Sequence, residues 1–102
     1  IDRNSLITHG STENINALGS IKDKFISFGW DAQEIDGHDI QSLLNFFKST
    51  SLNKINKPIA VIAKTIKGKG VSFMENVASW HHGGINEENF LIAEKELKLV
   101  DN

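Results

Sequence analysis

The chain has 102 residues, 39% of them hydrophobic, a size that supports one modest core and at most one small domain. Its 11 basic and 13 acidic side chains are interleaved for a formal charge of -2, which excludes any strong electrostatic attraction to nucleic acid or a membrane surface. The absence of cysteine excludes a disulfide framework and a thiolate metal site, and the longest apolar run, Ile59 to Ala63, is too short to cross a bilayer. A cytoplasmic location is the expectation.

Ile1 to Asn4 reads as the end of a strand entering a loop, and the non-methionine start suggests a beginning inside a longer chain. A sheet cut there would expose an unpaired strand edge. Between Ser20 and Phe28, Ile21, Phe25, Ile26 and Phe28 recur at helical spacing, and Gly29 follows as a C-terminal cap. Trp30, Ala32 and Ile35 alternate in part with polar residues, which predicts a strand running into a turn at Asp36-Gly37.

Asp39 can cap a second helix, on which Ile40, Leu43, Leu44, Phe46, Phe47 and Leu52 form a broad apolar face. A polar stretch, Asn53 to Lys57, and Pro58 lead into Ile59 to Ala63, whose lack of alternation predicts a central parallel strand covered on both faces. Thr65 to Gly84 holds four of the 8 glycines and no sustained period, so a long loop is expected. Asn86 then caps a last helix bearing Glu87 and Glu88 in its first turn.

This order predicts an α/β fold, a partial open parallel sheet with flanking helices. Ligands bind such sheets beyond the carboxyl ends of the strands. Asn4 to Gly10, Asp36 to Asp39 and Thr65 to Gly84 therefore fall along one candidate binding edge.

Lys64-Thr65-Ile66-Lys67-Gly68-Lys69-Gly70 can bring backbone amides and positive charge to a phosphate, although a lysine-glycine turn is also ordinary surface architecture. Trp80-His81-His82-Gly83 offers imidazoles that titrate near neutrality beside an aromatic wall; the alternative is an exposed loop with incidental histidines. His9, His38, His81 and His82 lack the paired spacing of a zinc site. Asn4 could give oxygen to magnesium or calcium, or simply serve a turn. Local backbone hydrogen bonding accounts for Asp36 and Asp39.

Taken together, Asp2-Arg3-Asn4-Ser5-Leu6, Phe28-Gly29-Trp30, Ile35 to Ile40, Lys57-Pro58, Ala63 to Asn76 and Trp80-His81 resemble the transketolase family, above all its split bacterial form. The run from Ala63 to Asn76 is the specific part. The resemblance implies the C-terminal portion, residues 1–102, of a thiamine-diphosphate-binding domain. It implies that the Asn4 side-chain oxygen and the Leu6 carbonyl hold the divalent ion, Mg2+ or Ca2+, that bridges the cofactor diphosphate. It further implies that Lys67 contacts the cofactor and that His81 reaches both diphosphate and sugar, with His82 as the competing histidine.

The family's Gly-Asp-Gly motif, the earlier histidines of its substrate channel and the activating glutamate of its partner domain are absent from these residues. The leading expectation is thus a piece of an enzyme that moves a two-carbon ketol unit from a ketose phosphate to an aldose and is inactive alone. Its partners would be sugar phosphates, the remaining transketolase domains or subunit, and a second copy in the complete protein. Another thiamine-diphosphate enzyme, such as a deoxyxylulose-phosphate synthase or a two-oxo-acid dehydrogenase component, shares the fold. A non-catalytic folded fragment or interaction module is the reading from a different class.

Overall fold

A computed structural model describes residues 1–52 and 56–98, which form two compact units. One comprises Ile1–Arg3 and Leu18–Thr65; the other comprises Asn4–Ala17 and the chain from Ile66 onward. The polar stretch Asn53 to Lys57 falls partly outside the described residues, as does the side chain of Leu52.

The first unit is built on a parallel sheet of β1 (Asp2–Arg3), β4 (Asp31–Asp36) and β5 (Ile59–Lys64), in the order β1-β5-β4. The unalternating run Ile59 to Ala63 therefore does form the central strand. Arg3 and Asp36 both stand opposite Lys64, so the carboxyl ends of the three strands lie level. The register is extended by Ala63 N–H donating to the Ile1 carbonyl and Gly37 N–H donating to the Lys64 carbonyl, at 2.9 and 2.7 Å.

Helix α2 (Ile21–Ser27) starts where Ser20 Oγ accepts the Asp23 N–H, and it ends at Gly29, whose φ of 85° suits a residue without a Cβ. Its Ile21 and Phe25 pack against Ala32, Ala60 and Ile62, the core of this unit. Ile62 is the most deeply buried of them, at 1% exposure. Trp30 stacks on Phe25 with ring centroids 5.0 Å apart, which closes the α2–β4 turn with apolar contact.

Asp39 opens α3 (Ile40–Leu52) by accepting the Ser42 N–H at 3.1 Å, while Asp36 accepts the His38 N–H at 2.9 Å. Both aspartates thus serve the backbone. The apolar face expected on α3 is only partly covered, with Leu43 and Phe46 half-buried and Ile40, Leu44 and Phe47 exposed. Five apolar residues occupy more of the circumference than the contact with β4 can hide.

The second unit corrects the expectation of plain loops. Leu6–Ile7 (β2) and Gly10–Ser11 (β3) form a hairpin around Thr8-His9, followed by the short helix α1 (Thr12–Asn16). A 3₁₀ helix, Ala78–His81, interrupts the long glycine-rich stretch. Residues before it fold into consecutive tight turns, in which Asn76 N–H donates to the Lys67 carbonyl at 3.0 Å. Helix α4 (Glu87–Lys98) begins as expected, with Asn86 Oδ1 accepting the Asn89 N–H at 2.8 Å and Glu87 and Glu88 in the first turn.

Gly37 has no room for a side chain, because a Cβ would meet Thr65 Cγ2 at 2.5 Å and the Lys64 carbonyl oxygen at 3.0 Å. Gly37→Ala is expected to lower unfolding free energy by about 1–3 kcal/mol, the usual range for forced overpacking. Urea denaturation followed by far-UV circular dichroism measures that change.

Candidate functional site

Asn4, Leu6, Lys67 and His81 all belong to the second unit. Asn4 follows β1 directly, and the next residue, Ser5, has a φ of 61°. That left-handed conformation costs a non-glycine residue about 1–2 kcal/mol. It reverses the chain so that Asn4 Oδ1 accepts the Leu6 N–H at 3.0 Å.

The hairpin register makes this turn chemically informative. Ile7 faces Gly10 across the two-residue turn, Leu6 faces Ser11, and Thr12 N–H donates to the Ser5 carbonyl at 2.9 Å. Antiparallel partners alternate between bonded and non-bonded pairs, so Leu6 and Ser11 form a non-bonded pair between two bonded ones. The polar groups of Leu6 are thereby turned away from β3, toward the side on which its N–H meets Asn4. The Leu6 carbonyl and Asn4 Oδ1 consequently lie on one side of the strand.

His81 ends the 3₁₀ helix, which packs beside β2 and β3, and its ring meets that of His82 edge-on at 4.6 Å. Both imidazoles are exposed. Trp80 anchors them: its Nε1–H donates to the Phe73 carbonyl at 3.0 Å and its ring lies 5.3 Å from that of Phe73. Gly83 rests on the indole so closely that a Cβ would fall 2.2 Å from Cε3.

Lys67 is half-buried and begins the glycine-lysine turn, within the same unit as Asn4, Leu6 and His81. The turn itself is rigidly specified. Gly68, at φ 73°, lies against Met74 with a virtual Cβ 2.6 Å from the Met74 carbonyl oxygen. Glu75 accepts the Gly70 N–H at 3.0 Å and approaches Lys69 at 3.6 Å. Lys64 instead reaches Glu34, at 2.7 Å, in the first unit.

Among the described residues no group of three histidine, aspartate or glutamate side chains could hold a metal. An ion at Asn4 would thus rest on amide and carbonyl oxygens, donors suited to magnesium or calcium rather than zinc. Sequence reasoning missed Ser5 and Thr12, because neither residue type in a short polar stretch signals a left-handed turn or a buried hydroxyl.

A parallel sheet flanked by helices is an α/β fold of the class that binds ligands beyond the carboxyl ends of its strands. Comparison with known proteins narrows that class: residues 1–99 match the family described as transketolase, thiamine diphosphate binding domain. The chain belongs to the transketolase family. It is 40% identical over 97 residues to an apulose-4-phosphate transketolase subunit of Phocaeicola vulgatus, covering 95% of this chain and 34% of the relative. Over 97 residues it is 35% identical to the 6-deoxy-6-sulfo-D-fructose transketolase subunit SqwG of Clostridium sp. strain MSTE9, covering 95% and 35% respectively. Human transketolase-like protein 2 shares 37% identity over 76 residues, 74% of this chain and 12% of that protein. The chain thus spans about a third of the length of the two bacterial relatives.

Two predictions concern the supports of this unit. Hydrogen bonds from the Ser72 hydroxyl and backbone hold the Glu96 carboxyl below its ordinary value of 4.5. A depressed folded-state value means the link contributes stability above pH 4.5 and loses it as the pH falls through the lower folded value. In Ser72→Ala, the Glu96 titration followed by NMR should move up toward 4.5. Gly83→Ala should displace the indole and speed exchange of the Trp80 Nε1 proton by about tenfold, the loss of one net hydrogen bond.

Proposed function

We propose that this chain is the later section of a transketolase thiamine-diphosphate-binding domain and supplies part of its diphosphate and metal site. The observation that carries this reading is the Asn4–Leu6 turn, which sets a side-chain oxygen and a backbone carbonyl on one side of β2 within a family match over residues 1–99. An amide oxygen has two acceptor sites, and the Leu6 N–H uses one of them. The remaining site and the Leu6 carbonyl suit a hard divalent cation, Mg2+ or Ca2+.

In this reading Asn4 and Leu6 would hold a divalent ion for the cofactor diphosphate, and Lys67 would add positive charge to the same site. His81 donates a hydrogen bond to the diphosphate and to the sugar phosphate, held by the Trp80–Phe73 anchor. When bound, the cofactor supplies the electron sink for transfer of a two-carbon ketol unit from a ketose phosphate to an aldose. Two relatives carry the word subunit in their names, which supports a complete enzyme in which this section works with further domains or a further subunit. This chain would offer the ion only two protein oxygens, so it would hold that ion weakly when alone.

Titration with Mn2+ and thiamine diphosphate, read by paramagnetic NMR broadening, tests the reading. Broadening should concentrate at Asn4 to Leu6 and disappear in Asn4→Ala; broadening spread over surface carboxylates and indifferent to Asn4 would sink it. In the complete enzyme, His81→Ala should lower kcat/KM for the ketose phosphate by about 100-fold, the scale of a lost proton-transfer or hydrogen-bonding group. His82→Ala should change it by less than about threefold, and the reverse order would transfer the role to His82.

A further inference from the structure

We propose that Thr12 is a positioning residue for the Asn4–Leu6 turn: through one carbonyl, that of Ser5, it holds the strained conformation that turns Asn4 Oδ1 and the Leu6 carbonyl to the same side. The inference rests on the functional reading above and deepens it. Thr12 is 6% exposed and is the buried polar side chain among the described residues. Its backbone N–H donates to the Ser5 carbonyl at 2.9 Å and its hydroxyl reaches the same oxygen at 3.3 Å, shorter than its 3.4 Å approach to Glu13 Oε1.

Three physical points make this grip a device rather than incidental packing. First, Thr12 opens α1, and the N–H at a helix's first position lies outside the helix's own hydrogen-bond ladder. Its donation to Ser5 therefore ties a helix start to the turn, while Ser11 Oγ caps the next N–H, that of Glu13, at 3.2 Å. Second, Ser5 stands at φ 61°, which a serine occupies only when its surroundings over-determine it. A carbonyl held by two donors from one residue is such a constraint.

Third, the bonds at Ser5 and Leu6 are successive along the strand. Fixing the Ser5 carbonyl fixes the peptide plane that carries the Leu6 N–H, and that N–H is what orients Asn4 Oδ1. Valine has nearly the same shape as threonine, so its substitution separates the hydroxyl's contribution from the need to fill space. Thr12 touches no reacting group in this account. Its effect on Asn4 and Leu6 passes through Ser5.

Backbone amide hydrogen exchange by NMR on the 102-residue chain tests the proposal without any cofactor. The Leu6 amide is the reporter and the Ile62 amide, in the other unit, is the reference for global stability. Thr12→Val should exchange Leu6 about tenfold faster with Ile62 unchanged, whereas Thr12→Ser should stay within about threefold of the parent at Leu6. In the Ser5→Gly/Thr12→Val pair, glycine reaches positive φ without strain and should return Leu6 to within about threefold of the parent.

The proposal is overturned if Thr12→Val leaves Leu6 unchanged, if serine and valine act alike, if the glycine pair fails to restore protection, or if Ile62 accelerates as much as Leu6. Failure of the parent chain to show Mn2+ broadening at Leu6 would retire the metal-site reading while leaving the exchange pattern to decide the clamp.

Discussion

Parallel pairing of β5 with a strand on each side is the constraint from which the remaining geometry follows. Because β1 and β4 both pair with β5 in the same direction, their carboxyl ends come level at Arg3, Lys64 and Asp36. Every connection must then travel back along the sheet, which is why helices rather than tight hairpins join these strands. Gly37 is the turn by which the chain leaves this edge after β4, its N–H bound to the Lys64 carbonyl. Burial of Ala32, Ala60 and Ile62 beneath α2 holds the pairing in register, since a slip of one residue would move each of them to the opposite face.

Sequence reasoning succeeded where a local code and a long-range role agreed. Asp39 and Asn86 each cap a helix with their own side chain, and the apolar period of Ile21 to Phe28 ends at Gly29 with positive φ, so α2, α3 and α4 were legible. The central position of β5 was legible because Ile59 to Ala63 offers no polar face to water. The β2–β3 hairpin was not. Its strands have two residues each, and its turn, Thr8-His9, lacks the asparagine-glycine or aspartate-glycine pair that usually signals such a loop. The Ala78–His81 helix is likewise too short to establish a period.

The candidate site was legible in a different sense. Asn4, Leu6, Lys67 and His81 emerged through family resemblance, because an asparagine or a leucine carbonyl carries no chemistry that composition can reveal. The geometry adds what resemblance could not: Leu6 shares its orientation with Asn4 because of its unbonded place in the hairpin ladder. His81 ends the 3₁₀ helix and His82 follows it, with both rings exposed and 4.6 Å apart. Much of the apolar surface on α3 and α4 went unforeseen as exposed, since a periodic pattern identifies a face without identifying what covers it.

Among the described residues β4 is an outer strand of its sheet, which bears on behaviour in concentrated solution. Strand edges are templates for indiscriminate ribbon growth, and proteins guard them with charge. β4 carries Asp31, Glu34 and Asp36, all exposed, on a six-residue strand. Two copies approaching edge to edge would bring carboxylates into register against carboxylates, and Glu34 has a compensating lysine at hand, Lys64. Like charges on an outer strand oppose edge-to-edge pairing, and salt screens that repulsion.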